Sequence, residues 1–327
     1  MIGLTQTAAI LAAALVLDRL IGDPPRIWRS LPHPVALMGR VVGWLDAWLN
    51  DPRHEFGKRR RRGVMAVLLL LVAVAAHGIC VHYLLALVPL GAVAEAVIVS
   101  VLLAQKSLVD HVAAVARALA SGNLAAGRQE VARIVGRDVT QLDETGIARA
   151  AIESGGENFS DGVVAPAFWY ALLGLPGILV YKALNTADSM IGNRSERHEA
   201  FGWAAACIDD LLNLIPARLS AFLIVAAALF ARCDARAAFA ALGDAPNHKS
   251  PNAGWPEAAL AGALGLALGG PRRYGDIAVD GAWLNAGGRM FAGPTDIAKA
   301  IRLLDLAWAL LLTLVGIGSI IGLGLSR

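Results

Sequence analysis

Residues 153–162 read Glu-Ser-Gly-Gly-Glu-Asn-Phe-Ser-Asp-Gly, setting Glu153, Glu157 and Asp161 among glycines and beside Asn158. Carboxylates at that density, next to residues that let a backbone approach a ligand closely, suit a hard cation such as Mg²⁺ and the phosphates of a nucleotide. The same stretch also reads as a solvated loop that caps the following helix through Asp161. A second group, residues 181–192, places Lys182, Asn185 and Asp188 at the end of an apolar run, ahead of Asn193, Arg194 and Arg197. A lone lysine there snorkels to the membrane interface. Three such groups before two arginines favour an anion and metal site, because phosphoryl transfer relies on Lys, Arg and Mg²⁺-holding carboxylates to offset developing charge.

Asp209 and Asp210 stand directly before Leu211-Leu212 and are followed by Asn213, Pro216 and Arg218. Adjacent carboxylates at a membrane boundary are costly unless solvated or paired with a cation. The alternative is a helix start whose acidic residues favour the positive end of the dipole. Residues 244–257 carry Pro246, Pro251 and Pro256 around His248 and Asn252, a rigid loop of the kind that binds something. Gly269-Gly270-Pro271-Arg272-Arg273 adds two guanidinium groups suited to phosphate or carboxylate. No GxxxxGK[ST] loop and no GxGxxG turn occurs, so a standard nucleotide-binding domain is not encoded. His77 and His82 lie five apart, on different faces of a helix, and read as hydrogen-bonding groups inside a bundle rather than metal ligands.

The elements that must position these groups are membrane helices. The 327 residues are 57% hydrophobic and 17% charged, more apolar surface than a soluble core of this size needs. A net charge of +3 with scattered basic residues excludes a nucleic-acid footprint. Cys80, Cys207 and Cys233 match neither a disulfide framework nor a CxxC site and read as small apolar fillers. The first apolar run has no basic segment before it and is expected to stay as a membrane helix.

Runs near the 20 residues that a bilayer asks of a helix occupy 4–21, 64–89 and 306–325, with shorter or proline-broken runs at 91–104, 163–184, 211–230 and 258–268. Lys58-Arg59-Arg60-Arg61-Arg62 precedes the second run and places residues 22–62 in the cytoplasm by the positive-inside rule. Residues 105–161 form the longest polar stretch, with apolar positions Val109, Val112, Val115 and Leu119 at helical spacing, and read as a soluble helical insertion with a turn at Ser121-Gly122-Asn123. Pro166, Pro176 and Pro216 interrupt later runs, so that 163–184 or 211–230 reads as a re-entrant or broken helix. Two-residue alternation is absent, and no sheet is expected. The expected fold is an all-α, polytopic integral membrane bundle with broken or re-entrant helices, one membrane domain over 1–327 with a cytoplasmic helical insertion at about 105–161.

The ordered motifs resemble the adenosylcobinamide-phosphate synthases of cobalamin biosynthesis, the CobD/CbiB family, over nearly the whole chain. Leu17-Asp18-Arg19-Leu20-Ile21-Gly22-Asp23-Pro24 and Pro32-His33-Pro34-Val35 look like its amino-terminal signature. Ile134-Val135-Gly136-Arg137-Asp138 matches its soluble insertion, and Glu157-Asn158 with Asp161-Gly162-Val163-Val164-Ala165-Pro166-Ala167-Phe168-Trp169 its central motif. Asn185-Thr186-Ala187-Asp188-Ser189-Met190, Phe201-Gly202-Trp203, Asp209-Asp210 with Asn213, Pro216-Ala217-Arg218 and Ser250-Pro251-Asn252-Ala253-Gly254-Trp255-Pro256 complete the likeness. Gly155-Gly156 stands where the family more often has a small aliphatic pair, and Asn193 where an aromatic is common.

The resemblance implies an ATP- and Mg²⁺-dependent condensation of adenosylcobyric acid with (R)-1-aminopropan-2-ol phosphate, or the free amino alcohol, at the inner membrane with the site facing the cytoplasm. On that reading Glu157, Asp161, Asp188, Asp209 and Asp210 hold Mg²⁺. Lys182, Arg194, Arg218 and Arg272 bind phosphates, with Asn158, Asn185 and Asn252 beside them, and Glu153 or His248 takes the proton of the amine. A large planar corrin would favour the aromatic-bearing segments at Trp169, Trp203 and Trp255. Association with other enzymes of the late corrin pathway stays open. The competing readings are a transporter, since broken helices with charged groups also mark substrate pathways, and a signalling or scaffold protein similar to AmpE.

Overall fold

A computed structural model describes residues 2–193, 195–274, 277–279 and 281–325. In chain order the elements are α1 (Ile2–Ile21), α2 (Pro25–Ser30), α3 (Pro34–Leu49), α4 (Phe56–Ala86), α5 (Gly91–Leu102), α6 (Gln105–Ala120) and α7 (Leu124–Val131). There follow α8 (Glu144–Phe159), α9 (Ala165–Ile191), α10 (Trp203–Ala231), α11 (Ala235–Ala241), α12 (Gly254–Leu264), β1 (Leu268–Gly269), β2 (Arg272–Tyr274), β3 (Ile277–Val279), β4 (Trp283–Leu284) and α13 (Pro294–Leu325). Five helical stretches among the described residues are long and apolar enough to cross a membrane: Phe56–Ala86, Gly91–Ala120, Glu144–Ile191, Trp203–Ala231 and Pro294–Ile320. The chain is a mostly helical, multi-pass membrane protein.

Two compact units emerge, residues 1–104 with 165–213 and 315–327, and residues 105–164 with 214–314. In the first, α4 packs along α9, and α3 packs on both. One face of α4 turns inward through Ala66, Val67 and Leu70, while Leu68, Leu69 and Val72 are exposed. In water that outward stripe would be a large apolar patch; in a bilayer it is the lipid face. The inward face joins Leu45, Leu184, Ile191 and Phe201 in one core. The break expected in residues 163–184 is at Gly174, whose φ of 64° leaves the helical region two residues before Pro176. Proline lacks the N–H that would have bridged the gap, and glycine alone tolerates the turn. By contrast, α10 runs through Pro216 as one helix of 29 residues, so the second candidate break is absent.

The second unit contains the polar insertion. α6 buries Leu108, Val112, Val115 and Leu119 at helical spacing, with Leu108 rather than the expected Val109 on the inward face. The turn at Ser121-Gly122-Asn123 is present: Gly122 has φ 72°, and Asn123 caps α7 by accepting from the Ala126 N–H at 2.9 Å. Asp143 caps α8, accepting from the Gly146 N–H at 2.7 Å; Asp161, expected to cap the following helix, instead lies inside the π-helical turn Ser160–Val164 that runs into α9. The run 258–268 does not span: α12 has 11 residues and is buried within the unit, the usual fate of an apolar helix too short for a bilayer. The expectation of no sheet is also corrected. β1 pairs antiparallel with β4 and β2 with β3, and Gly269 and Gly270 take φ of 74° and 75°, so this glycine pair makes a turn. Ladders of two or three residues are too short to show two-residue alternation.

Asp46 ties α3 to the segment after α9. Its carboxylate is mostly enclosed and accepts from Asn50 at 2.7 Å and from the Arg197 guanidinium at 2.7 and 3.2 Å, with His198 at 3.5 Å. Burial alone would raise its pKa, but the hydrogen bonds from Asn50 and Arg197 and the nearby positive charge outweigh this and lower it. A lowered carboxylate pKa stabilises the fold above the unfolded value of about 4, and the contribution is lost as pH falls through the folded value. The melting difference between the wild type and Asp46→Asn is therefore expected to be full at pH 7 and to shrink below about pH 4; thermal unfolding in detergent across that range checks it. A constant difference would show that the charge on Asp46 contributes nothing.

Candidate active site

In the first unit the acidic residues converge. Tyr181, Asn185 and Asp188 share one face of α9 by their spacing of four and three, and Asp209 and Asn213 share a face of α10 by their spacing of four. The Tyr181 hydroxyl donates to Asn213 Oδ1 at 2.9 Å, and Asn213 Nδ2 donates to Asp209 Oδ2 at 2.9 Å. Tyr181, Asp209 and Asn213 are all buried. Asp209 Oδ1 is enclosed and accepts no hydrogen bond of ordinary geometry among the described residues, although Asn185 lies near it. Asp188 and Asp210 are close enough to act on Asp209 electrostatically. Tyr181 and Asn213 are members of the site that residue type alone does not single out; helical spacing is the signal that finds them, Asn213 four residues from Asp209 and Tyr181 seven from Asp188.

Three carboxylates of like charge, one of them with an enclosed oxygen, repel one another, and a positive charge among them would relieve this. Among the described residues no group of three or more His, Cys, Asp or Glu is placed to hold a metal ion. Mg²⁺ does not require one, since it is commonly held by one or two carboxylates with water and substrate phosphate oxygens in the remaining positions. Lys182, half-buried, precedes Asn185 by one helical step on α9. Arg194 lies outside the described residues. Arg197, expected to help bind an anion, is committed to Asp46. Gly192 has a definite role: a Cβ there would lie 1.9 Å from Asp188 Oδ1 and 2.7 Å from the Asp188 backbone oxygen. Gly192→Ala is expected to displace that carboxylate and lower turnover at least about tenfold, since misplacement of a positioned group by an ångström is that costly; steady-state rates on the purified variant check it, and an unimpaired enzyme would remove Asp188 from the site.

In the second unit, the stretch expected either to bind a ligand or to form a solvated loop is helical. Glu153 and Glu157 lie on α8, and Asp161 lies in a π-helical turn, Ser160–Val164. The glycines beside them serve packing: a Cβ on Gly156 would lie 3.0 Å from Leu260 on α12, and one on Gly155 3.4 Å from Leu304 on α13. Glu153, Ser154 and Glu157 line a cleft of about 270 Å³ with Arg137 and Glu257. Glu153 Oε2 accepts from Arg137 at 3.1 Å and Oε1 from the Gly269 N–H at 2.8 Å. Both oxygens being engaged, Glu153 anchors Arg137 and the turn before β2. Asn158 donates to the Ser154 carbonyl and hydroxyl at 2.9 and 3.0 Å, within its own helix.

His248 sits in the rigid loop with its Nε2 3.8 Å from the buried Glu257 carboxylate, and its Nδ1 accepts from the Ser250 N–H at 3.2 Å. Asn252 is buried in the same loop. The Arg218 guanidinium stacks on Trp255 at 4.4 Å and donates to the Leu214 carbonyl at 2.7 Å. Arg272 falls in β2, and its side chain lies outside the described residues. Of the other aromatics proposed to face a corrin, Trp203 carries the Arg60 guanidinium at 3.6 Å and Trp169 donates to the Leu212 carbonyl at 3.2 Å. His82, as expected, is a hydrogen-bonding group, paired with Glu95 at 3.0 Å.

Enclosed carboxylates on helix faces, beside basic and amide side chains in a multi-pass bundle, define a membrane protein with a polar site among its helices. Comparison with known proteins makes this specific. Residues 11–304 match the family of CobD/Cbib proteins. The chain is 55% identical over 296 residues to the cobalamin biosynthesis protein CobD of Sinorhizobium sp, covering 89% of this chain and 92% of that one. It is 53% identical to the protein of the same name from Rhizobium meliloti strain 1021 over 299 residues, 89% of this chain and 90% of that one. With the protein of that name from Brucella anthropi it shares 48% identity over 318 residues, 96% of this chain and 97% of that one. The chain belongs to the CobD/CbiB family of cobalamin biosynthesis. No solved structure matches it.

Proposed function

We propose that the chain joins the free propionate of adenosylcobyric acid to (R)-1-aminopropan-2-ol phosphate, or to the unphosphorylated amino alcohol, at the expense of ATP. The observation that supports this most strongly is the cluster of Asp188, Asp209 and Asp210, backed by Asn213 and Tyr181, in a chain whose relatives are named for cobalamin biosynthesis. A carboxylate is a poor electrophile. Transfer of the γ-phosphoryl group of ATP to the propionate would give an acyl phosphate and ADP; the amine would then attack the acyl carbon, and phosphate would leave as the amide forms.

Bound Mg²⁺ would neutralise charge on the transferring phosphoryl group. Asp188, Asp209 and Asp210 are proposed to hold it, with Glu157 and Asp161 as further candidates. Lys182, Arg194, Arg218 and Arg272 are assigned to phosphate oxygens, and Asn158, Asn185 and Asn252 to the nucleotide. For the ammonium proton Glu153 and His248 are both proposed: the Glu257 carboxylate would stabilise an imidazolium at His248, whose Nδ1 accepts from the Ser250 N–H, and both oxygens of Glu153 accept hydrogen bonds. The reaction is placed at the inner membrane on the cytoplasmic side, where ATP is supplied.

ATP consumption by protein reconstituted in vesicles tests the class of activity. Hydrolysis that requires both organic substrates is expected. Corrinoid uptake without substrate-dependent hydrolysis would replace the ligase with a transporter.

A further inference from the structure

Away from the acidic residues, the second unit has a cleft of about 280 Å³ whose charged lining is Arg232, Lys299 and Arg302. No carboxylate lines it, and none of the three side chains has a hydrogen-bond or ion-pair partner among the described residues. The nearest acidic group in sequence, Asp234, is engaged in capping α11 by accepting from the Ala237 N–H at 2.8 Å. Three exposed cations around one opening, with no carboxylate lining it, repel each other and favour an anion between them. The positive-inside rule accounts for basic residues at a membrane boundary, but not for their convergence on one cleft.

Arg232 itself is held in an unusual conformation. It ends α10 with φ 57°, and the Cys233 N–H reaches back to the Ala228 carbonyl at 3.0 Å, the hydrogen bond of a helix terminus that normally places glycine at this position. An arginine kept where glycine is the unstrained choice points to use of its side chain. Immediately before it, Leu229 and Phe230 are 69% and 63% exposed, and Leu264 adds an apolar wall. Apolar surface one turn from a guanidinium at the end of a helix long enough to span the bilayer is the arrangement of a lipid headgroup level.

We propose that Arg232, Lys299 and Arg302 bind the phosphate of an anionic phospholipid, whose acyl chains lie along Leu229 and Phe230. Arg presents paired N–H groups to phosphate oxygens, and Lys supplies a point charge. Native mass spectrometry of the full chain, purified in detergent and offered phosphatidylglycerol, phosphatidylcholine or inorganic phosphate, tests this. Phosphatidylglycerol is expected to be retained in preference to phosphatidylcholine and to resist excess inorganic phosphate, with binding falling about fivefold for each cation removed in Arg232→Gly, Lys299→Gln and Arg302→Gln. Arg232→Gly suits its backbone and should melt no lower than the wild type, so loss of lipid in it cannot be ascribed to unfolding. Equal retention of the two lipids, undiminished phosphatidylglycerol in the Arg232→Gly, Arg302→Gln double variant, or displacement by inorganic phosphate would overturn the proposal.

Discussion

Asp188→Asn is expected to abolish ATP-dependent condensation while leaving the protein folded. Asparagine keeps the shape that fits against Gly192, and removing one of three crowded negative charges relieves repulsion with Asp209 and Asp210. What it removes is a charged oxygen offered to a cation. A loss of roughly a hundredfold or more, about 3 kcal/mol of transition-state stabilisation, follows if that oxygen helps position Mg²⁺ on the nucleotide. Raising Mg²⁺ should recover part of the rate, because weakened metal affinity is met by mass action. Turnover measured against Mg²⁺ concentration, beside a melting curve of the same preparation, checks both halves. Full activity at ordinary Mg²⁺ would remove the metal role from this residue.

The second large effect is expected on stability. Arg137 and Glu153 form an ion pair whose side chains are 13% and 7% exposed. Arg137→Ala leaves the Glu153 carboxylate enclosed with only its remaining partners, and breaking a buried pair from one side costs about 3–5 kcal/mol. Arg137→Lys, which keeps the charge and loses the planar fork, should lie between. The expected readout is a marked drop in melting temperature for the alanine variant, with the second unit, residues 105–164 and 214–314, opening first to proteolysis. A variant that melts like the wild type and loses only activity would instead make Arg137 a substrate ligand in the cleft it lines.

Much of the fold is legible in the sequence for one reason: a bilayer of fixed thickness demands long apolar helices, and α4 and the second half of α13 announce themselves by length alone. That a helix breaks within 163–184 or 211–230 is legible from their prolines, but which one is not: the break falls at Gly174 beside Pro176, while α10 continues through Pro216. What the sequence hides is partnership at a distance. Arg197 reads as an anion ligand beside Arg194, yet it is taken up by Asp46, 151 positions earlier. Gly155-Gly156 reads as room for a ligand, yet the room is filled by Leu260 and Leu304. The run 258–268 reads as a span, yet it is a core helix, because apolar content does not distinguish lipid from protein as the surrounding medium.

The acidic cluster is legible because adjacent carboxylates before an apolar run are costly unless solvated or paired with a cation. Its supporting residues, Tyr181 and Asn213, are ordinary residue types whose meaning comes from helical spacing to a carboxylate and becomes plain once α9 and α10 are placed together within the first unit.

The most direct test of the account is mass spectrometry of the purified protein, reconstituted in lipid and incubated with adenosylcobyric acid, aminopropanol phosphate, Mg²⁺ and ATP. A corrinoid heavier by the condensed amine is expected, formed only when ATP is present and about a hundredfold more slowly with Asp188→Asn. A folded protein that binds the corrinoid and yields no such product, with either the phosphorylated or the free amine, would contradict it.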